Sequence, residues 1–163
     1  MEYRPKLRDY RPSDFRRLCE IDHRCFPPGV AYSARDMWGF LGAPGAQVMV
    51  AENRRGDVVA FVLALRRRKR GYIVTLDVLP RYRSRGLGRR LMLECEKRLR
   101  AAGVAQIQLE TAVTNRPAQA LYQSLGYTFV RRRPRYYATG EDAWLMEKTL
   151  AAVSHQPSAF SRH

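Results

Sequence analysis

The stretch DVLPRYRSRGLGRRLMLE, residues 77–94, leads from an apolar run through a loop rich in arginine and glycine into an amphipathic segment. The segment predicts a helix from Gly86 to Arg100, with Gly103 placed to end it. The first N–H groups of a helix lack partners and the helix dipole is positive there, so a glycine turn before a helix favours a bound anion. Glycine also lets an anion approach the backbone without meeting a Cβ atom. The stretch therefore predicts a phosphate-binding helix start.

Composition indicates one domain with an apolar core and a strongly basic surface. The chain has 163 residues, of which 45% are hydrophobic, and this length fits a single domain. Thirty Lys and Arg residues against fifteen Asp and Glu residues give a net charge of +15. Such a charge favours anionic partners, among them nucleic acid, an acidic membrane surface, acidic peptides or a phosphorylated small molecule. Charge alone does not choose between them.

The pattern of apolar residues and cysteines predicts neither a signal peptide nor a metal site. The first 14 residues lack the apolar core of a signal peptide, and the longest apolar run, residues 58–65, is far shorter than a membrane span of about 20 residues. These features predict a cytoplasmic protein without a membrane partner. Cys19, Cys25 and Cys95 are odd in number and lack metal-ligand spacing with a histidine. We therefore expect reduced thiols and no metal site.

The periodicity of the chain predicts an α+β fold with one βαβ-like unit in its middle. We expect a mixed, mostly antiparallel sheet of six to seven strands, flanked by about four helices, in one domain over residues 1–150. The polar residues 151–163 read as a flexible C-terminal tail. The predicted strands cover residues 3–10, 46–52, 57–66, 71–79, 105–113, 127–133 and 143–150, and the predicted helices cover 11–26, 33–41, 86–100 and 117–126.

Two interpretations of the glycine loop follow from its residues and spacing alone. The loop could simply turn the chain, with its arginines solvated. It could also be a dinucleotide fingerprint, because Glu110 ends the next strand about 20 residues on, where a ribose-binding acid would lie. Leu91, however, occupies the third glycine position, and only one βαβ-like unit is present. The spacing does not match a Walker loop either.

A third interpretation is a resemblance to the GNAT family of N-acetyltransferases. Arg83, Gly86 and Gly88 match the family's acetyl-CoA signature [QR]-x-x-G-x-[GA] at the start of a helix. At the right distance, TNRPAQALYQSLGY resembles the second family region, N-x-x-A-x-x-L-Y-x-x-x-G-[FY]. The resemblance extends from about residue 3 to residue 149. In the second region the matching residues are Asn115, Ala118, Leu121, Tyr122, Gly126 and Tyr127.

A subfamily resemblance narrows the expected acceptor. The runs YYATGEDAWLM (136–146), YIVTLDVLPRYR (72–83) and FPPGVAY (26–32) are similar to segments of N-terminal-amine acetyltransferases, including the ribosomal-protein alanine type. This resemblance implies transfer of the acetyl group of acetyl-CoA to an N-terminal α-amine. A lysine or a small-molecule amine is the alternative acceptor. The arginine run at 66–70 and the tail depart from the typical pattern.

The family resemblance also implies where the cofactor binds. Family members leave a splay between the central strand and the strand after the helix, where the pantetheine pairs with backbone groups, and the helix start holds the pyrophosphate. Transferred to this chain, the expected acetyl-CoA contacts are Leu76, Asp77, Val78, Arg83, Ser84, Arg85, Gly86, Leu87, Gly88, Arg89, Arg90, Asn115, Ala118 and Tyr122.

Three residues are candidate catalytic groups on the resemblance. Glu110 occupies the place of the family's base, and Tyr72 aligns with a base-like tyrosine in some relatives. Tyr122 aligns with the tyrosine that protonates the coenzyme A sulfur, and a phenol with pKa about 10 can donate at neutral pH. Each has a plainer alternative, a surface carboxylate for Glu110 and a packed aromatic for the two tyrosines. Asp77 is a rival base.

Aromatic residues on the flanking loops are the expected acceptor contacts, namely Tyr32, Tyr136 and Tyr137. A rival class of function is a nucleic-acid or ribosome-binding module, because RRRKRGY (66–72) and VRRRPRYY (130–137) mix arginines with aromatic residues. The sequence has no RNP-type, KH or helix-turn-helix pattern in support. Docking on a ribosome or an acidic partner therefore fits better as an accessory property. The oligomeric state is left open.

Overall fold

A computed structural model of the chain describes residues 3–151. Seven strands and four α-helices follow one another in this part of the chain, together with two single turns of 3-10 helix at Pro12–Asp14 and Pro80–Tyr82. In chain order the elements are β1 (Lys6–Asp9), α1 (Phe15–Cys25), α2 (Ala34–Leu41), β2 (Ala46–Glu52), β3 (Val58–Arg67), β4 (Arg70–Val78), α3 (Leu87–Ala101), β5 (Gln106–Ala112), α4 (Arg116–Ser124), β6 (Thr128–Arg133) and β7 (Ala143–Thr149).

The strands form one sheet in the order β1-β2-β3-β4-β5-β7-β6. All neighbours are antiparallel except β4 and β5, which are parallel and joined by α3. Their pairing covers only Arg70–Ile73 against Gln106–Leu109. Beyond it, β4 stays paired with β3 and β5 with β7, so the two halves of the sheet separate. The sheet therefore has a split in its middle. Its seven strands and mostly antiparallel pairing confirm the predicted fold class.

The core lies on both sides of the central strands. The first seven residues of β3 are all buried, as expected of a strand covered on both faces. Helices α1 and α3 both pack on β3 and β4. The apolar run at 58–65, too short for a membrane span, is therefore this central strand. No helix within residues 3–151 is long and apolar enough to cross a membrane.

Local signals fix the ends of most helices as predicted. The Ser33 hydroxyl accepts the N–H of Asp36 at 3.1 Å and caps α2, and the Asn115 side chain accepts the N–H of Ala118 at 3.3 Å and caps α4. Gly103 follows the end of α3 with φ +89°. At the start of α1, the Asp14 carboxylate accepts the N–H of Arg11 at 2.8 Å, outside the helix.

Several boundaries differ from the sequence prediction. Strand β1 and helix α1 are shorter than the predicted 3–10 and 11–26, because residues 12–14 form a 3-10 turn before the helix. The predicted basic turn between β3 and β4 shrinks to Arg68 and Lys69, because Arg67 and Arg70 still pair with each other across the hairpin. Helix α3 begins at Leu87, with Gly86 as its N-cap. The predicted tail at 151–163 lies almost entirely outside the described residues.

Candidate functional site

A cavity of about 700 Å³ occupies the split between β4 and β5. Its walls come from the two strands, the loop before α3, the start of α3, helix α4 and two loops, residues 26–33 and 134–142. The site is thus assembled from segments far apart in sequence at the one place where the sheet lacks pairing. A cleft with a few converging polar groups is the usual form of a small-molecule site.

Two glycines at the start of α3 have different structural roles. Gly86 adopts φ +78°, a conformation that favours glycine, and a Cβ at this position would meet nothing within 4 Å. Gly88 provides space, because a Cβ there would lie 3.3 Å from Cδ2 of Leu121 and 3.6 Å from Cδ2 of Leu76. Arg83 donates from Nε to the carbonyl of Val78 at 2.8 Å, which holds the loop against the end of β4. The helix start therefore opens directly into the cavity.

Most of the predicted cofactor residues line this cavity, and three do not. Asp77 is fully buried beneath the wall, and the Arg90 guanidinium donates to the carbonyl of Pro5 at 2.9 Å, away from the cavity. Arg85 is likewise not part of the lining. Those that line the cavity are Leu76, Val78, Arg83, Ser84, Gly86, Leu87, Gly88, Arg89, Asn115, Ala118 and Tyr122.

The side chains of Tyr72 and Glu110 meet near the point where the pairing of β4 and β5 ends. The Tyr72 hydroxyl donates a hydrogen bond to Oε2 of Glu110, and the Tyr136 hydroxyl lies 3.3 Å from that of Tyr72. Burial raises the pKa of Tyr72, and the hydrogen bond to Glu110 raises it further. Tyr72 is therefore a neutral donor to the carboxylate. The two residues that the sequence offered as rival bases form one hydrogen-bonded pair.

Glu110 has a second partner that sequence reasoning missed. Nε of Arg133 lies 3.3 Å from Oε1 of Glu110, whose side chain is only 6% exposed. The Arg133 guanidinium also lies over the ring of Tyr136, 5.9 Å from its centre. Arg133 is at the end of β6, and the intervening strand β7 brings it level with the end of β5. The carboxylate is therefore neither solvated nor on the outer surface.

Tyr122 reaches the cavity from α4. Its side chain is 7% exposed, and its ring packs edge-to-face on Tyr127 with centres 5.9 Å apart. Its hydroxyl has no hydrogen-bond partner within residues 3–151. Burial raises the pKa of Tyr122, with a smaller contribution from the charge of Asp77. Tyr122 is therefore a neutral phenol whose proton is available to a molecule in the cavity.

The three tyrosines predicted to contact an acceptor stand together at one end of the cavity. Tyr32 donates its hydroxyl to the carbonyl of Val74 at 3.3 Å, and the rings of Tyr136 and Tyr137 pack edge-to-face at 4.9 Å. The two loops that carry them are joined where the N–H of Ala138 donates to the carbonyl of Gly29 at 3.3 Å. Burial raises the pKa values of Tyr32 and Tyr137. These loops form an aromatic wall.

Glu141 and Cys25 are among the cavity residues that were not identified as site residues from sequence. Glu141 accepts hydrogen bonds from the hydroxyl and the N–H of Thr114, the latter at 3.3 Å, and so ties loop 134–142 to the end of β5. Cys25 donates from Sγ to the carbonyl of Val78 at 3.4 Å, and burial raises its pKa to about 11. The sequence signal for Glu141 was its place in the run YYATGEDAWLM (136–146), whereas no motif indicated Cys25.

Comparison with known proteins agrees with this architecture. An N-alpha-acetyltransferase of Sulfurisphaera tokodaii is 39% identical over 83 residues, which cover 50% of this chain and 50% of that protein. The chain spans about half the length of this relative and of two others it matches, the N-alpha-acetyltransferases of Saccharolobus solfataricus and Sulfolobus acidocaldarius. The ribosomal-protein-S18-alanine N-acetyltransferase of Escherichia coli superposes with a TM-score of 0.83 at 24% identity, over 94% of this chain and 98% of that one.

A second solved structure is that of Arabidopsis thaliana NAA60 in complex with acetyl-CoA, with a TM-score of 0.77 at 23% identity, over 90% of this chain and 99% of that one. At this identity the likeness establishes the fold. Residues 15–127, more than half of the chain, match the sequence model of the acetyltransferase (GNAT) family. The chain therefore belongs to the GNAT family of acetyltransferases.

Proposed function

We propose that this protein is an N-acetyltransferase that moves the acetyl group of acetyl-CoA to the α-amine of a protein or peptide N-terminus. The observation that carries the proposal is the cavity in the split sheet. It has a glycine helix start on one side, and a hydrogen-bonded Tyr72–Glu110 pair beside an aromatic wall on the other. The N-alpha-acetyltransferase names of the relatives support the choice of acceptor.

The helix start is the proposed site of the cofactor pyrophosphate. Backbone N–H groups around Gly86 and Gly88 are free to donate there because they belong to the first turn of α3. Arg83 and Arg89 line the same part of the cavity and add positive charge. The unpaired edges of β4 and β5 beyond Ile73 and Leu109 offer backbone partners for the pantetheine. The NAA60 complex with acetyl-CoA supports this assignment.

The proposed reaction is a direct attack. The amine nitrogen forms a bond to the thioester carbonyl carbon, the C–S bond breaks, and the sulfur leaves as a thiolate. The nitrogen must lose a proton and the sulfur must gain one. Tyr122 donates its phenol proton to the sulfur and regains one from solvent after product release. Its position in the cavity suits a donor, and its raised pKa keeps it protonated at neutral pH.

The Tyr72–Glu110 pair receives the proton of the amine. The Tyr72 hydroxyl oxygen accepts a hydrogen bond from the amine while its own proton is held by Glu110, so the proton can pass to the carboxylate in one concerted step. A carboxylate is a weak base, and Arg133 keeps a positive charge beside this one. Asp77 has no part in this route, because it does not line the cavity.

A weak base is better matched to an α-amine than to lysine. With pKa values near 8 and 10.4, roughly one in ten α-amines is neutral at pH 7, against roughly one in 2,500 lysine side chains. An α-amine can therefore attack without prior removal of a proton by a strong base. The test is to incubate the protein with acetyl-CoA and three classes of acceptor: free peptide α-amines, lysines in N-blocked peptides, and small amines. Release of coenzyme A only with the small amines would reject the proposed acceptor.

The basic hairpin, residues 66–70, supports a docking role for an anionic partner such as ribosomal RNA, and we propose that the protein acts in the cytoplasm. All five side chains are exposed, and none forms an ion pair with a residue in the part of the chain that the structure describes. The hairpin lies at the opposite end of the strands from loop 134–142. RNA binding that weakens with salt, and that is lost when Arg67, Arg68 and Lys69 become Gln, tests this role.

A further inference from the structure

Two fully buried carboxyl groups face each other behind the cavity wall. Asp22 lies on α1 and Asp77 on β4, and both are 0% exposed. Oδ2 of Asp22 accepts the N–H of Tyr32 at 2.7 Å, and Oδ1 of Asp77 accepts the hydroxyl of Thr75. The remaining oxygens, Oδ1 of Asp22 and Oδ2 of Asp77, have no donor within residues 3–151. The two side chains meet across the packed interface between α1 and β4.

This arrangement is unfavourable if both groups are ionised. Two adjacent carboxylates repel each other, and a buried polar atom without a hydrogen-bond partner destabilises the fold. A single proton between the two unpaired oxygens removes both penalties, because one carboxyl then donates to the other. Burial, followed by the charge of Asp22, raises the pKa of Asp77 well above its usual value. The groups that face the pair from neighbouring elements are Arg83, Cys25, Tyr32, Tyr122 and Thr75.

We propose that Asp22 and Asp77 share one proton, and that this pair is a latch holding the acceptor-side loop, residues 26–33, against β4. The pair connects the N–H of Tyr32 on that loop to the strand whose residues Leu76 and Val78 line the cofactor side of the cavity. Its effect on acceptor binding rests on the proposed function, whereas its effect on the loop does not. Asp22 and Asp77 are positioning residues, since neither lines the cavity.

Loss of the shared proton opens the latch. Two negative charges are then buried side by side. The positive charge of Arg83 attracts Asp77, but Nε of Arg83 remains hydrogen-bonded to the carbonyl of Val78. The end of α1 moves away from β4 to admit water, and the N–H of Tyr32 loses its fixed acceptor. The hydrogen bonds from Cys25 to the carbonyl of Val78 and from the Tyr32 hydroxyl to the carbonyl of Val74 still join this end of α1 and its loop to β4. The loop therefore loosens as pH rises.

Amide hydrogen exchange at Tyr32, followed by NMR in the full chain, measures the latch without any activity. We expect the protection factor of this amide to fall at least about tenfold in the wild type as pH rises from about 6 to 10, because the acceptor carboxyl is released. In Asp77→Asn the amide group donates to Asp22 at every pH, so the protection stays constant. If Asp77→Asn fails to fold, Asp22→Asn serves in its place. The amide group at position 22 then donates to Asp77, and the protection of the Tyr32 amide again stays constant with pH.

Asp14→Asn is the matched control. Asp14 is another buried carboxyl, located just before α1, but its partner is the Arg8 guanidinium and not a second carboxyl. This variant should keep the decline in Tyr32 protection seen in the wild type. The same pH course in the wild type, Asp77→Asn and Asp22→Asn would overturn the latch.

The shared proton has a second, independent signature in unfolding. The folded pair retains a proton that the unfolded carboxyls release above about pH 3.9. Stability that depends on this proton is therefore present at low pH and is lost as pH rises toward the raised pKa of Asp77 in the folded protein. Relative to Asp77→Asn, the unfolding equilibrium constant of the wild type should rise about tenfold per pH unit in this window. A ratio that does not change with pH rejects the shared proton.

Kinetics then connects the latch to the proposed function. With acetyl-CoA saturating, the KM for a peptide acceptor should rise with pH in the wild type beyond the change seen in Asp77→Asn, while kcat changes equally in both. Equal KM profiles, despite a pH-dependent exchange at Tyr32, would overturn the link to acceptor binding. If no variant transfers acetyl groups, the proposed function fails, and the exchange and unfolding results still decide the latch.

Discussion

Tyr72 donates its hydroxyl proton to Glu110, so the two candidate bases form a single hydrogen-bonded unit. Glu110→Gln should lower kcat/KM on the order of 10²-fold, because the final proton acceptor is lost. Tyr72→Phe should cost a similar factor, since it breaks the route to that acceptor. The double variant should be no slower than the slower single variant, as expected for residues that act together. Steady-state kinetics on one good peptide acceptor gives all three values, and multiplicative losses in the double variant would show that the residues act separately.

Removal of the Tyr122 hydroxyl should affect turnover and leave cofactor binding intact. The hydroxyl has no protein hydrogen-bond partner to lose, within the described residues, and charge develops on the sulfur only during reaction. We expect Tyr122→Phe to lower kcat about 10²- to 10⁴-fold, with little change in the Kd for acetyl-CoA measured by calorimetry. Turnover at the wild-type rate would assign Tyr122 to packing against Tyr127.

The glycine at the start of α3 should matter for cofactor binding beyond its effect on stability. Gly86→Ala places a side chain at φ +78°, which costs about 1–2 kcal/mol. Gly56→Ala is the matched control, because Gly56 has φ +84° and equally open surroundings in the β2–β3 turn. Both variants should lose similar stability, but only Gly86→Ala should reduce the rise in Tm that acetyl-CoA produces. Equal rises in Tm would place the phosphate elsewhere.

The Arg8–Asp14 pair should stabilise the fold only above acidic pH. Both guanidinium Nη atoms of Arg8 donate to the Asp14 carboxylate at 2.9 Å, and this bond lowers the pKa of Asp14. A lowered folded pKa gives stability that is present above the unfolded pKa of about 3.9 and is lost as pH falls through the folded value. Asp14→Asn should therefore cost about 1–3 kcal/mol at neutral pH and progressively less in acid, as measured by urea unfolding.

Much of the fold could be predicted because its signals are local. Ser33 and Asn115 cap the helices that follow them, and the β4–α3 loop carries its own glycines. The predicted boundaries of the basic hairpin were wrong, because the register of β3 and β4 extends their pairing to Arg67 and Arg70 despite the charge of these residues.

The rest of the site depends on contacts between distant segments. Arg133 meets Glu110 only because β7 lies between β5 and β6, an order that strand patterns do not reveal. Asp22 meets Asp77 across the α1–β4 interface, 55 positions away in sequence. Asp77 was grouped with its neighbours in the cofactor site, but alternation along the strand turns its side chain away from the cavity that Leu76 and Val78 line.

The most direct test of acetyl transfer to an α-amine uses one peptide that carries a free N-terminus and an internal lysine. After incubation with acetyl-CoA and the wild-type protein near pH 7, fragment-ion mass spectrometry locates the added acetyl group. Glu110→Gln serves as the comparison for uncatalysed transfer. We expect the N-terminal residue to be acetylated, the lysine to remain free, and the reaction to slow markedly in the variant. Acetylation on the lysine alone, or equal transfer by the wild type and the variant, would contradict the proposed function.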